Sequence, residues 1–359
     1  GDNSMVQKTN ETMIPTSLPN VTLLIAAYNE ADILMEKVRN CYALNYPADQ
    51  LDIVFVTDGS TDGSNEMLQD LPLIRVFHHP QRGGKLAAVN RAMQKVKNEI
   101  VVLTDANCML NREALQNIVR HYEDPSVGAV AGEKRVLATG NSAGQGEGIY
   151  WKYESFLKKL DSELYSVVGA AGELFSFRRS LFRPLEAGTI IEDFVLSMEI
   201  ATQGHRVVYE PDATASEAPS ANMREEWKRK VRICAGGFQA IQRFAFLLNP
   251  VKFSVVAFQF ISHRMLRWAI VPFALPVILL LTALLAQGGS MFYLLFFVAQ
   301  LGFYGMASLG LLYLNQSRVP RLISIPFQFV MMNAAAYAGL WKYLRGSQSA
   351  VWDKSVRHA

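Results

Sequence analysis

The sequence predicts an α/β domain, a Rossmann-like and mostly parallel sheet with helices on both faces. An interfacial amphipathic helix and C-terminal transmembrane helices follow it. Three observations predict this. Short apolar β runs alternate with helical patterns from residue 21 to residue 213, as in a parallel sheet covered on both faces. Charge is partitioned: residues 1–218 carry 20 basic and 29 acidic side chains, whereas 219–268 carry nine basic against two acidic. Residues 269–314 then hold no charge at all, and about 20 apolar residues suffice to cross a hydrocarbon core.

The first β run, VTLLIAAY (21–28), is followed by the helical ADILMEKVRNCYAL, and LDIVFVTDG (51–59) by SNEMLQDL. LIRVFHH leads into GGKLAAVNRAMQKV, and EIVVLTDAN into NREALQNIVRHYED. VGAVAGEKRVL, ELFSFRR and RVVYEPDA (206–213) read as later strands, and the Gly-rich ATGNSAGQGEG (138–148) as a flexible loop. From Asn249 the chain reads NPVKFSVVAFQFISHRMLRW, with Asn at the N-cap and Pro at the first helical position. Lys252, Gln259, His263 and Arg267 fall on one side of that helix, so it is expected to lie at the membrane surface beneath the soluble domain. His263 belongs to this polar stripe rather than to a metal or base site.

The expected organisation is a disordered or tag-derived start (1–18), a soluble domain (19–218), a basic collar with interface helices (219–268), two or three membrane helices (269–341) and a basic tail (342–359). The polar start predicts no signal peptide. Ala269–Ala286 and Met291–Leu314 are uncharged spans, whereas Pro326, Gln328 and Asn333 favour a re-entrant or non-spanning third segment in Leu322–Trp341. That arrangement keeps Lys342, Arg345, Lys354 and Arg357 on the same side as the collar and the Arg318–Arg321 loop, as the positive-inside rule asks. Cys41, Cys108 and Cys234 match no zinc spacing and are odd in number. They point to a reducing compartment, hence a cytoplasmic soluble domain on a multi-pass protein of the inner or plasma membrane.

Ligands on such sheets bind beyond the carboxyl ends of the strands. Four successive strand ends carry AAYNE, TDGSTD, HHPQRGGK and TDAN, which delivers Glu30, Asp58, Asp62, Lys85 and Asp105 to one rim. No G-x-G-x-x-G follows the first strand, which argues against a nicotinamide dinucleotide. Each residue alone has an ordinary role as turn former or helix-start lysine; their coincidence is what points to a site. A further pair, Glu192-Asp193 in TIIEDFVLSMEI, stands at a helix start, where acids also cap free N–H groups and favour the macrodipole.

Taken in order, AAYNE, DGSTDGS, RGGKLAAVN, TDAN, GAAGELFSFRR, IIEDF and the basic KRKVRICAGG resemble glycosyltransferase family 2, inverting enzymes of the GT-A fold. The resemblance is closest to its membrane-bound polysaccharide-synthase-like branch. It implies sugar transfer from a nucleotide-sugar, expected to be UDP-linked, to a saccharide or lipid-linked acceptor in exopolysaccharide, oligosaccharide or glycolipid synthesis, with Mg2+ or Mn2+. It puts Tyr28, Glu30 and Asp58 at the base and ribose, Lys85 near the nucleotide, and Asp105 on the first acid of the D-x-D motif that positions nucleotide and metal. Asp193 falls on the catalytic base, with Glu192 as its supporting neighbour.

Two positions depart from the family pattern. The second acid of D-x-D is Asn107, whose amide oxygen ligates a cation without charge. The family's Q-x-x-R-W reads Arg229-Lys230-Val231-Arg232-Ile233. Arg232, and Arg229 beside it, are thereby expected at the diphosphate or acceptor, while the Trp that stacks on an acceptor sugar is lost. Trp227 is either its substitute or an interfacial anchor. The rivals are transfer to a polyprenyl phosphate gripped by the collar, and a catalytically impaired GT-A domain serving as a membrane scaffold. Donor, acceptor and membrane lipid are the expected partners, nucleic acid is not, and an export or co-polymerase partner is left open.

Overall fold

The computed structural model describes residues 18–137, 142–313 and 320–351. The polar start up to residue 17, Arg318, Lys354 and Arg357 lie outside the described residues. β1 (Val21–Ala27), α1 (Ala31–Tyr42), β2 (Leu51–Asp58), α2 (Ser64–Leu68), β3 (Ile74–His79), α3 (Lys85–Met93) and β4 (Ile100–Asp105) follow the expected alternation. β5 (Met109–Leu110), α4 (Ala114–Val119), β6 (Val127–Val136), α5 (Ser142–Leu164), β7 (Leu174–Arg178), α6 (Glu192–Thr202) and β8 (Arg206–Glu217) complete the α/β unit.

These strands form one sheet in the order β3-β2-β1-β4-β7-β6-β8-β5. β1 pairs in parallel with β2 and β4, and β2 with β3, while β7 runs antiparallel to β4 and β6. Successive side chains of a strand point to opposite faces. Leu24, Val54 and Val101 therefore feed a core shared with Phe194 of α6, and Leu23, Phe55 and Val102 a second core with Leu34 of α1 and Leu115 of α4. Ala27 pairs with Thr57, Ala26 with Asp105 and Asp58 with His79, so four strands do end at one rim.

The stretch read as a loop is instead helical from Ser142 on, the start of the 23-residue α5; residues 138–141 lie outside the described residues. Each glycine costs a helix roughly 0.5–1 kcal/mol relative to alanine. Further along, Glu154, Lys158 and Asp161 of α5 are buried in the domain, and that tertiary anchoring outweighs local propensity.

After the sheet, α7 (Met223–Arg243) is capped by Asn222, whose side chain accepts from the N–H groups of Arg224 and Glu225. α8 (Pro250–Phe260), a π-helical stretch (Ile261–Ile270) and α9 (Val271–Gln287) form one 38-residue helical run, Pro250–Gln287, kinked at Ser254. The expected N-cap is present, with Asn249 accepting from Val251 and Lys252. Most of the polar stripe, however, faces α5 rather than lipid: Gln259 and His263 bond Asp161, and Arg267 pairs with Glu154 at 2.8 Å.

α10 (Met291–Leu309) packs on α9, with Thr282 Oγ1 at 3.1 Å from Gln300 Oε1. α11 (Arg321–Leu344) is a single helix through Pro326. It lies along α7, where Met331 meets Met223, a Cβ on Gly339 would touch Cys234, and Tyr343 stacks on Phe238. It also crosses the base of the α9–α10 hairpin, through Tyr337 with Pro272 and Phe327 with Gly310. By length and composition, Pro250–Gln287, Met291–Tyr313 and Arg321–Leu344 are each long and apolar enough to cross a membrane.

Candidate active site

A cavity of about 510 Å³ opens at the rim of the sheet, and Lys85, Asp105, Glu192, Asp193, Arg229 and Arg232 all line it. Asp105 arrives as the last residue of β4, Lys85 as the first of α3, and Glu192 and Asp193 as the first two of α6. Lys85 Nζ lies 2.5 Å from Asp105 and 3.3 Å from Glu192. Gly172 makes room for this: a Cβ there would come within 3.1 Å of Lys85 Nζ and 3.3 Å of Asp193 Oδ2. The helix-start acids therefore reach the strand-tip acid through one lysine, in one pocket.

The electrostatics separate the two acids. Burial pulls the Lys85 ammonium down, but Asp105 and then Glu192 pull harder and hold it well above its usual value. Burial raises Glu192, yet Lys85 and Arg232 outweigh it and keep that carboxyl low. Asp193 goes the other way: burial, then the neighbouring Glu192, push it up to about 6. Neighbouring titratable groups driven apart in this manner are the usual arrangement of an acid–base site. A helix-start role holds too: the N-cap position is Ile191, and Asp193 in the first turn accepts the free Phe194 N–H at 2.8 Å.

Tyr28, Glu30 and Asp58 stand along the same rim outside this cavity wall. Asp58 is buried and fastens the loop that leads to Lys85, accepting from Gly83 N at 2.8 Å, Gly84 N at 2.6 Å and the Arg91 guanidinium. Arg82 of that loop lies 3.9 Å from the centroid of the Tyr28 ring. Glu30 occupies the N-cap position of α1, its N–H bonded to Ser64, and Asp62 accepts the next N–H, that of Ala31. Val351 joins the two regions, lining the cavity and meeting Gly84.

A divalent cation fits Asp105. Its carboxylate faces the cavity and already holds a cation, and the surrounding Glu173 and Glu192 add negative potential. No group of three or more His, Cys, Asp or Glu able to hold a metal occurs among the described residues. Mg2+ is commonly held by one or two carboxylates plus substrate phosphates. Asn107 stands off the cavity wall, its side-chain oxygen 3.6 Å from Cys108 Sγ.

Sequence reasoning missed the far wall. Trp151, Glu154 and Lys158 of α5, Glu173, Arg264 and Trp268 all line the cavity. Only Glu173 had a local signal, inside GAAGELFSFRR. Trp227 instead packs with Met223, Phe327 and Met331.

Comparison with known proteins fits this geometry. Residues 22–185 match the family model of Glycosyl transferase family 2. Poly-beta-1,6-N-acetyl-D-glucosamine synthase of Staphylococcus aureus is 25% identical over 243 residues, 66% of this chain and 58% of that protein. Its counterpart in Staphylococcus epidermidis is 23% identical over 272 residues, 73% of this chain and 66% of that protein. This chain thus spans under two thirds of the length of these curated relatives. A mannosyltransferase from Pyrobaculum calidifontis, solved in complex with GDP-Man and Mn2+, is 28% identical, with a TM-score of 0.66, covering 92% of this chain and 88% of the other. Residues 22–185 therefore match glycosyltransferase family 2 on a GT-A-like α/β sheet, in a chain similar to poly-beta-1,6-N-acetyl-D-glucosamine synthases.

Proposed function

We propose that the protein is a membrane-anchored inverting glycosyltransferase that moves a sugar from a nucleoside diphosphate to a saccharide or lipid-linked acceptor. The observation that carries this reading is the shared cavity of Asp193, Lys85 and Asp105. An acceptor hydroxyl attacks the anomeric carbon while the bond to the diphosphate oxygen breaks, in one in-line step that inverts the configuration. The hydroxyl ionises too weakly to do this unaided, so Asp193 takes its proton as the new bond forms. A carboxyl with a pKa of about 6 is ionised at neutral pH and remains a better base than an ordinary aspartate.

The diphosphate leaves with its charge met by Lys85, Arg229 and Arg232. Asp105, with the diphosphate oxygens, would hold Mg2+ or Mn2+, which neutralises further charge on the leaving group. Tyr28, Glu30 and Asp58 flank the base and ribose along the rim, Asp58 also setting the loop from which Lys85 projects. The related mannosyltransferase was solved with GDP-Man, whereas the family resemblance implies a UDP-sugar.

For the membrane we propose two spans, α9 and α10, with α11 lying in the interface. Leu322, Ile325, Phe329, Tyr337, Trp341 and Leu344 are exposed along one side of α11, while Met331, Ala335 and Gly339 are buried against the protein. Its packing along α7 and the Tyr337 hydroxyl's bond to the Pro272 carbonyl, at the start of α9, support that placement. It returns the tail to the cytoplasmic side, next to the cavity.

Nucleotide release from a panel of UDP-, GDP- and TDP-sugars by the purified protein in detergent, with Mn2+, tests the reading. Turnover of one donor with inverted product supports it. Product of retained configuration, or no turnover with any donor and acceptor, overturns it. Transfer to a polyprenyl phosphate remains the second reading, favoured by the loss of the stacking Trp at Ile233; a polymer ladder among the products excludes it.

A further inference from the structure

Beyond Asp193 the cavity wall continues along α5, where Trp151, Glu154 and Lys158 share one helical face. Lys158 is 2% exposed, and its ammonium has no hydrogen-bond partner among the described residues. The groups around it are taken. Glu154 pairs with Arg264 and Arg267 at 2.8 Å each, Glu173 with Lys134 at 2.5 Å, and Glu133 accepts from the Ser155 and Tyr209 hydroxyls at 2.7 Å each. A buried polar group without a bond costs free energy that an incoming acceptor atom recovers. What the ammonium does touch is aromatic: it lies over the rings of Trp151 and Tyr209, 5.6 and 5.8 Å from their centroids, and Lys134 lies over the half-buried Trp151 indole at 4.6 Å.

An aromatic ring beside a cavity-lining N–H donor without a hydrogen bond is carbohydrate chemistry: C–H groups of a sugar ring pack on the indole while a hydroxyl accepts the hydrogen bond. Phosphate fits less well. Burial holds the Lys158 ammonium below its ordinary value although Glu154, Glu133 and Glu173 stand near enough to oppose this, and those carboxylates repel an incoming anion. Ile233, where the family's stacking Trp is missing, lines this same cavity, while Trp227 does not.

We propose that Trp151 and Lys158 form the acceptor subsite, binding the terminal ring of a neutral saccharide opposite Asp193. This rests on the glycosyltransferase reading and narrows it: the end of the acceptor that meets the base is a sugar, not a lipid phosphate. It also assigns to α5 the stacking role absent from the collar.

The test uses the full chain in detergent with three neutral probes, β-1,6-linked N-acetylglucosamine trisaccharide, mannotriose and cellotriose, and one anionic probe, citronellyl phosphate. Equilibrium binding is measured by calorimetry without donor, so it stands whether or not any donor turns over. One neutral probe is expected to bind, and Trp151→Ala and Lys158→Met each to weaken it at least tenfold. Trp151→Phe and Lys158→Arg recover part of the loss, which also covers the case where the harsher variants fail to fold. With an active donor, the acceptor KM rises at least tenfold in the harsher variants while the donor KM stays within twofold. Binding of the phosphate probe that depends on Lys158, with no saccharide bound, overturns the proposal. So does unchanged saccharide affinity in both harsher variants. Failure of every donor with intact saccharide binding rejects the transfer reading but leaves the subsite standing.

Discussion

Lys85 Nζ lies 2.5 Å from Asp105 Oδ1, tying the first residue of α3 to the last residue of β4. The same ammonium reaches Glu192 of α6 at 3.3 Å, so one lysine joins a strand tip to the helix start that presents Asp193. Arriving diphosphate and metal must share or break these contacts. On the proposed reading the lysine is thus both a substitute cation in the free protein and a ligand for the leaving group.

Replacing Lys85 with Met leaves Asp105 and Glu192 buried without their cation. Lys85 is also one of the charges that lower Asp193, so its loss raises that carboxyl further. The donor KM is expected to rise more than tenfold, and the acidic limb of kcat/KM to move above pH 6. Lys85→Arg keeps the limb near its wild-type position. A pH–rate profile of the two variants checks this.

Asp193 sits above its usual range because of burial first and Glu192 second, at about 6 against an ordinary 3.8. Activity is expected to rise with pH through about 6. Asp193→Asn should lower turnover by roughly 10²–10⁴-fold, with nucleotide affinity within a few-fold. Stability moves oppositely: between the unfolded and folded pKa values the folded state holds the extra proton, so stability falls as pH rises through that window. The Asn variant therefore melts higher than wild type at pH 7.5, and this advantage is absent at pH 3.5. Thermal unfolding at both pH values measures it.

Beneath the Asp105–Cys108 turn lies Lys37 of α1, wholly buried, donating to the Thr104 hydroxyl at 3.3 Å and to the Cys108 carbonyl. Lys37→Met keeps the volume and strands those acceptors, at about 1–3 kcal/mol. The turn that carries Asp105 shifts with them. A lower melting temperature and a higher Mn2+ concentration for half-maximal activity are expected, with kcat at saturating Mn2+ largely retained; metal titrations at fixed donor decide.

If α11 lies in the interface, residue 347 faces the same side as the catalytic domain. The native cysteines at 41, 108 and 234 are all buried, so a cysteine placed at Ser347 labels over a low background. In inverted vesicles, with the cytoplasmic face outward, an impermeant maleimide should modify it. Labelling in right-side-out vesicles alone would make α11 a third span.

The strand-tip residues were legible because parallel strands buried on both faces read as apolar runs, and whatever follows each run stands at the rim. Lys85 and Asp105 came from that rule alone. Glu192 and Asp193 came from a resemblance, since by pattern they are acids of a helix's first turn, where they do stand. Trp151 and Lys158 were illegible: α5 begins in a glycine-rich stretch, and its cavity-lining side chains look like any solvated helix face until the rest of the fold covers them.

What the sequence alone determined about this protein is whatever depends on local period and composition: the α/β alternation, the uncharged helices, the acids and lysine at strand ends. The tertiary structure decided which charges meet. Lys85 and Glu192 stand far apart in the chain, β7 turns antiparallel beside β4, and most of the polar stripe of the 250–270 region is satisfied by α5. Pairing of buried charges is set by the three-dimensional approach of elements, because the cost of leaving a charge unpaired arises only once burial has removed its water.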